Sequence, residues 1–327
     1  MRKLFYSILF LSVLTGFAPA LVAQTDNQIV ERLNYYGKLD NWSVRQITES
    51  GIIGGNTRNL YEFCGSPKDT VFGPIPFKAP EGYYWRTNNV LAEVAGVIKC
   101  SNTEYPEQRG DGYCMRIETH IENVKALGII NMEVVCQGAF LLGELPEPIK
   151  DTKNPMAKPV YGIPFHSCPR ALRFDYKADV GHQTIRGTGF SKLKEMDYLD
   201  YPIVTILLQR RWEDNKGRIC AKRIGTGVHV FGENAPDWVN GFEVPIHYGD
   251  ITGESYYIEE MSLLTGDRQM YGINSRGKNV PVLEDSWATD GELPNYMVIY
   301  FLSSKNDPFH GGVGNTLWLD NISLEMD

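Results

Sequence analysis

Short runs in which apolar and polar side chains alternate recur along this chain, and no other feature limits its fold as much. In "ALRFDYKA", Leu172, Phe174 and Tyr176 fall on one side, and Arg173, Asp175 and Lys177 on the other. That period of two belongs to a strand with one dry face. "GYCMRIETH" repeats it, setting Tyr113, Met115 and Ile117 against Arg116 and Glu118. "IINMEVVCQG", "YPIVTILLQRRW", "GTGVHVFG", "GFEVPIHYG" and "PNYMVIYFLSS" are also rich in β-branched and aromatic residues and bounded by Gly, Pro or Asp. Two stretches, "NQIVERLNYY" and "TGFSKLKEMDYL", are predicted as short helices. Many strands with few helices predict an all-β antiparallel sandwich of the jelly-roll kind.

"GELPEPIKDTKNPMAKPVYGIPF" interrupts the pattern, because Pro146, Pro148, Pro155, Pro159 and Pro164 forbid a central strand. It is predicted to be a long loop wrapping one sandwich. The closing "GGVGNTLWLDNISLEMD" poses a different problem. Strict alternation puts Asp320 on the strand face of Trp318, Ile322 and Leu324, with Leu317 and Leu319 opposite, so a carboxylate falls in an apolar row.

The first residues predict export. A basic "MRK", an apolar "LFYSILFLSVL" too short to span a bilayer, and small residues in "APALVAQ" read as a secretory signal peptide over 1–23. An N-terminal segment over 24–36 and one domain over 37–327 follow. No cysteine stands at the expected cut for lipid attachment, so a periplasmic, cell-surface or secreted product without membrane insertion is expected. Without the leader, 30 basic residues face 40 acidic ones. That balance argues against nucleic acid and anionic membranes as partners. Six cysteines (Cys64, Cys100, Cys114, Cys136, Cys168, Cys220) include no C-x-x-C pair, and their pairing is left open.

No G-x-S-x-G, H-E-x-x-H or phosphate-loop pattern occurs. "RGD" at Arg109–Asp111 reads as a strand-entry turn, and "HGGVG" at His310 as a glycine turn. A glycosidase needs two carboxyl groups roughly 5 to 9 Å apart across a groove. Asp197 with Asp200, and Glu259 with Glu260, are neighbours only in sequence, so no catalytic residue is assigned. Loop aromatics are more suggestive, since an exposed ring stacks on the C–H face of a sugar while amides and charges bind its hydroxyls. "GYYWRTNN" concentrates Tyr83, Tyr84, Trp85, Arg86, Asn88 and Asn89, of which Tyr84, Trp85, Arg86 and Asn88 are the candidate glycan-binding set. Trp212 and Trp287 also stand beside loop residues.

Several segments, taken in order, resemble the putative carbohydrate metabolism domain (PCMD) family of exported Bacteroides proteins. They are "NWSVRQITESGIIGG", "RGDGYCMRIET", "GIPF" with "RALRFDYK", "FEVPIHY", and "SSKNDPFHGGVGNTLWLDNISL", spanning Gly37 to Leu324. Asn315 and Asn321 replace the family's commoner Ser and Asp. The resemblance implies a jelly roll similar to carbohydrate-binding modules, in a protein serving glycan use. It also implies a structural calcium ion joining first and last strands, with Asp40 of "YGKLDNW" and Asp320 of "LWLDNI" as ligands. Calcium takes six to eight oxygens and would offset the burial of a carboxylate; the alternative is that Asp320 accepts backbone N–H groups at a β-bulge. The functional expectation is an exported, non-catalytic glycan-binding protein. A glycoside hydrolase and a structural or adhesive surface protein on the same fold are the alternatives.

Overall fold

The computed structural model describes residues 25–65, 69–126, 130–151, 153–289 and 291–326, so the predicted signal peptide lies outside the described residues. The main elements in chain order are α1 (Asp26–Tyr36), β1 (Glu104–Arg109), β2 (Gly112–Ala126), β3 (Ala139–Glu144), β4 (Ala171–Asp179) and β5 (Ile203–Glu213). They continue with β6 (Ile219–Val230), β7 (Ala235–Pro245), β8 (Asn279–Trp287), β9 (Tyr296–Leu302) and β10 (Thr316–Glu325). One sheet runs β3-β9-β5-β6-β8, and the other runs β7-β4-β10-β2-β1. The chain passes repeatedly from one sheet to the other, and the expected β-sandwich results. Pairing is antiparallel along both paths except between β6 and β8, which run parallel.

Alternation selects the inward faces. Met115, Ile117, Leu172, Phe174, Val204, Ile206, Ile299, Phe301, Leu317 and Leu319 form the core between the sheets. Ile29 and Leu33 of α1 pack into that core, so the 24–36 segment carries a helix docked on the sandwich. Its C-cap, Gly37, lies against β10, where a Cβ would stand 1.9 Å from the Ile322 carbonyl oxygen, leaving room only for glycine.

The β3-β9-β5-β6-β8 sheet is covered on its other face too. Leu141, Tyr161, Leu207, Leu264, Met270 and Val298 form a second apolar cluster there, under residues 153–164 and 259–270. This double burial explains why "IVTILLQ" reads as a continuous apolar run instead of alternating. The second predicted helix does not form. The second half of "TGFSKLKEMDYL" belongs to the strand Lys194–Asp200, paired with His182–Arg186, and backbone pairing there outweighs the apolar spacing that suggested a helix.

Candidate functional site

The predicted glycan-stacking residues are not exposed as a set. Trp85–Thr87 is a short strand hydrogen-bonded to β3, with Trp85 opposite Leu142 and Thr87 opposite Phe140. Pairing turns the Trp85 ring into the core, stacked on Phe140 at 4.7 Å between centroids, and 2% of the residue is exposed. Arg86 is 5% exposed and pairs with Glu144 at 3.0 Å. Neither can offer a surface to a sugar, which corrects their assignment. Tyr84 packs half-buried against the core. Asn88 donates to the Gln137 carbonyl at 2.8 Å and accepts from the Ala139 N–H at 2.9 Å, and it lines the cleft described below. Trp287 is half-buried among Ile203, Val228, Ile251 and Met261, whereas Trp212 is exposed.

The two predicted metal ligands are also placed differently. The register between β4 and β10 shifts between Arg173 and Asp175, and Asn321 takes a left-handed φ of 49°. That bulge breaks the alternation. Asp320 therefore shares the outer face with Trp318, while Ile322 and Leu324 turn into the core, against the expectation of one common row. There Asp320 Oδ1 accepts the Asn321 N–H at 2.7 Å, and Oδ2 accepts from Arg109 Nη1 at 2.7 Å. The same Nη1 donates to Asp175 at 2.9 Å, Nη2 donates to Asn240 at 2.7 Å, and the guanidinium lies 3.7 Å from the Trp238 ring centroid. Burial pushes the Asp320 carboxyl above its ordinary range, which Arg109 only partly offsets. Burial acts on Asp175 as well, yet donation from Asn321, Gly241 and Arg109 prevails and holds that carboxyl low.

Asp40 instead accepts the Tyr113 N–H at 2.8 Å, against a Gly112 whose Cβ would fall 2.3 Å from that carboxylate oxygen. As arranged, these residues do not fit a calcium ion, because a guanidinium already holds the place between Asp175 and Asp320. Among the described residues no three His, Cys, Asp or Glu side chains gather as a metal site. All six cysteines are free thiols.

A different place has the shape of a binding site. Over the outer face of the β3-β9-β5-β6-β8 sheet opens a cleft of about 380 Å³. Its apolar lining comes from Leu141, Tyr161, Leu264, Met270 and Tyr300, with Met156 from the proline-rich loop. The polar lining includes Asn88, Gln137, Asn306, Glu259, Glu260, Asp267 and Asp307, together with Arg268 and Lys305. Lys305 pairs with Glu260. Burial alone would raise the Glu260 carboxyl, but the hydrogen bond and charge of Lys305 hold it low, which suits an ion-pair partner and not a proton donor. Arg268 spends its donors on Ser262 Oγ at 2.7 Å and on the Glu260 and Glu259 carbonyls at 3.0 and 3.3 Å. The Glu259, Asp267 and Asp307 carboxylates have no ion-pair partner among the described residues.

The wall at 259–264 is fixed from below. Arg223 and Glu284 are fully buried partners on β6 and β8, with Arg223 Nε donating to Glu284 at 2.8 Å. Glu284 also accepts the Leu264 N–H at 2.7 Å, and Arg223 donates to the Met261 carbonyl at 3.3 Å. The walls are drawn from segments far apart in the chain, so spacing in the sequence carried no signal of the cleft. The proline-rich loop and the unusually apolar β5 were its only traces.

The chain matches no protein-family model and no curated protein. Among solved structures it is similar to a putative glycoside hydrolase from Bacteroides thetaiotaomicron VPI-5482. The identity is 15%, coverage is 84% of this chain and 81% of that one, and the TM-score is 0.43. A putative glycoside hydrolase from Bacteroides vulgatus ATCC 8482 is similar at 16% identity, over 69% of this chain and 78% of that one, also with a TM-score of 0.43.

Proposed function

We propose that this is an exported, non-catalytic glycan-binding protein whose site is the cleft over the outer face of the β3-β9-β5-β6-β8 sheet. One observation carries the reading: an apolar floor with two tyrosines lies beneath a rim of amides and unpaired carboxylates. A sugar ring has matching chemistry, with C–H faces for the floor and hydroxyls for the rim. The likeness of its segments to the PCMD family points to the same setting. Four lining carboxylates against two cations favour a neutral glycan over a polyanionic one.

A panel of immobilised neutral polysaccharides, with polygalacturonate alongside, tests the reading. The purified protein should be retained by a neutral class and not by polygalacturonate. Asp267→Ala combined with Asp307→Ala, both exposed positions, should lower retention about tenfold without changing the melting temperature. Retention that ignores this double substitution would place binding elsewhere.

A second reading is a glycoside hydrolase acting in the same cleft, favoured by Glu259, Asp267 and Asp307 lining it without ion-pair partners. Release of reducing ends from the retained polysaccharide, lost on Glu259→Gln or Asp267→Asn, would replace the binding assignment with that one.

A further inference from the structure

The cleft does not end at its first chamber. A second hollow of about 410 Å³ adjoins it, and both are lined by Pro155, Met156, Asp267, Asp307 and Pro308. These shared residues come from the proline-rich loop, from the turn at 266–268 and from the 305–309 loop, so the chambers adjoin along this common boundary, the waist. Beyond the waist the character changes. The far chamber is lined by Asn154, Gln269, Tyr271 and Phe309, and among the described residues no lysine or arginine lines it.

Its walls are held in place. Asn154 Nδ2 donates to the Tyr271 hydroxyl at 2.9 Å, tying the proline-rich loop to the strand Tyr271–Ile273. Asn154 and Phe309 both adopt left-handed backbone, at φ 44° and 68°. Asn adopts that conformation readily, whereas for Phe309 it is costly and persists where the surroundings impose it.

We infer that the two chambers are successive parts of one groove, and that its ligand is a neutral oligosaccharide lying through the waist instead of a single sugar or a disaccharide. The inference rests on the glycan reading above and adds the length of the ligand to it. Each chamber alone is at the small end of the range for ligand sites, roughly 300–1,000 Å³. Rings in the second chamber are tethered to those in the first. Their binding is therefore intramolecular and adds affinity without a new association cost.

The test is calorimetric titration with cello-, laminari-, manno- and xylo-oligosaccharides from monomer to hexamer. In the series that binds, Kd should fall at least tenfold between the disaccharide and the longer members, then level off. Phe309→Ala should abolish that gain and leave the disaccharide Kd unchanged. Should Phe309→Ala lower the melting temperature, Gln269→Ala in the same chamber serves as the second variant. A Kd independent of length, or a substitution that weakens short and long ligands equally, overturns the two-chamber inference and leaves the glycan reading standing. Failure of all four series to bind overturns both.

Discussion

At Arg109, one side chain links Asp320, which the resemblance implied as a metal ligand, to Asp175 and Asn240. Its guanidinium joins Asp175, Asp320 and Asn240 and stacks on Trp238, tying the β1–β2 turn to β4, β10 and β7. Arg109→Ala is expected to cost about 3 kcal/mol, the low end for breaking a buried pair, because the group is partly exposed. Thermal melts with EDTA and with added calcium should coincide for the unsubstituted protein; a calcium-dependent rise would restore the metal assignment. Glu104 offers a pH test. Burial pushes its carboxyl up to about 8, although Ala139 N–H and Thr103 Oγ donate to it. Between an ordinary value near 4.5 and that value, the unfolded chain binds fewer protons than the folded one, so stability falls as pH rises. Glu104→Gln should flatten this slope in urea denaturation between pH 5 and 8, and an unchanged slope would refute the assignment. Residue-scale reading of the sequence was good for the core, since Leu172 and Phe174 alternate inward as expected. It failed at Asp320 because a single bulge residue, Asn321, reverses the phase of everything after it.

Among the elements, the best-read were those whose two faces meet different surroundings. α1 shows a capping box at Thr25 with Gln28, and its Ile29 and Leu33 face the core. "TGFSKLKEMDYL" misled because Lys194–Asp200 lies in a small outer sheet, where five of its seven residues are exposed and apolar spacing says little. Trp85 misled for the opposite reason. A turn composition surrounds it, but a three-residue strand against β3 buries the ring. The cleft wall at 259–264 depends on a comparable hidden contact, the buried Arg223–Glu284 pair. Glu284→Ala strands the Arg223 charge in the interior and should cost roughly 3–5 kcal/mol in urea unfolding, whereas Arg223→Met with Glu284→Leu should be close to neutral. If the single and double substitutions proved equally costly, the pair would not be what holds the wall.

For the molecule as a whole, the sandwich was legible from local period, while the cleft was not, because its walls are assembled from residues 88, 137–141, 155–161, 203, 259–270 and 300–308. A pattern confined to neighbouring residues does not register such convergence. The order β7-β4-β10-β2-β1 has a further bearing, on time. β10, the strand nearest the C-terminus, occupies the middle of its sheet, flanked by β4 and β2. On the ribosome, β2 and β4 are made long before the residues that join them. Until then each carries an unpaired edge of backbone donors and acceptors, the kind of surface that recruits strands from other chains. Docking of α1 waits as well, since Ile322 and Leu324 of β10 supply the N–H groups that reach Gly37 and Asn34. The half-made protein is thus held open from both sides, and its safe passage depends on whatever shields those edges until Thr316–Glu325 arrives.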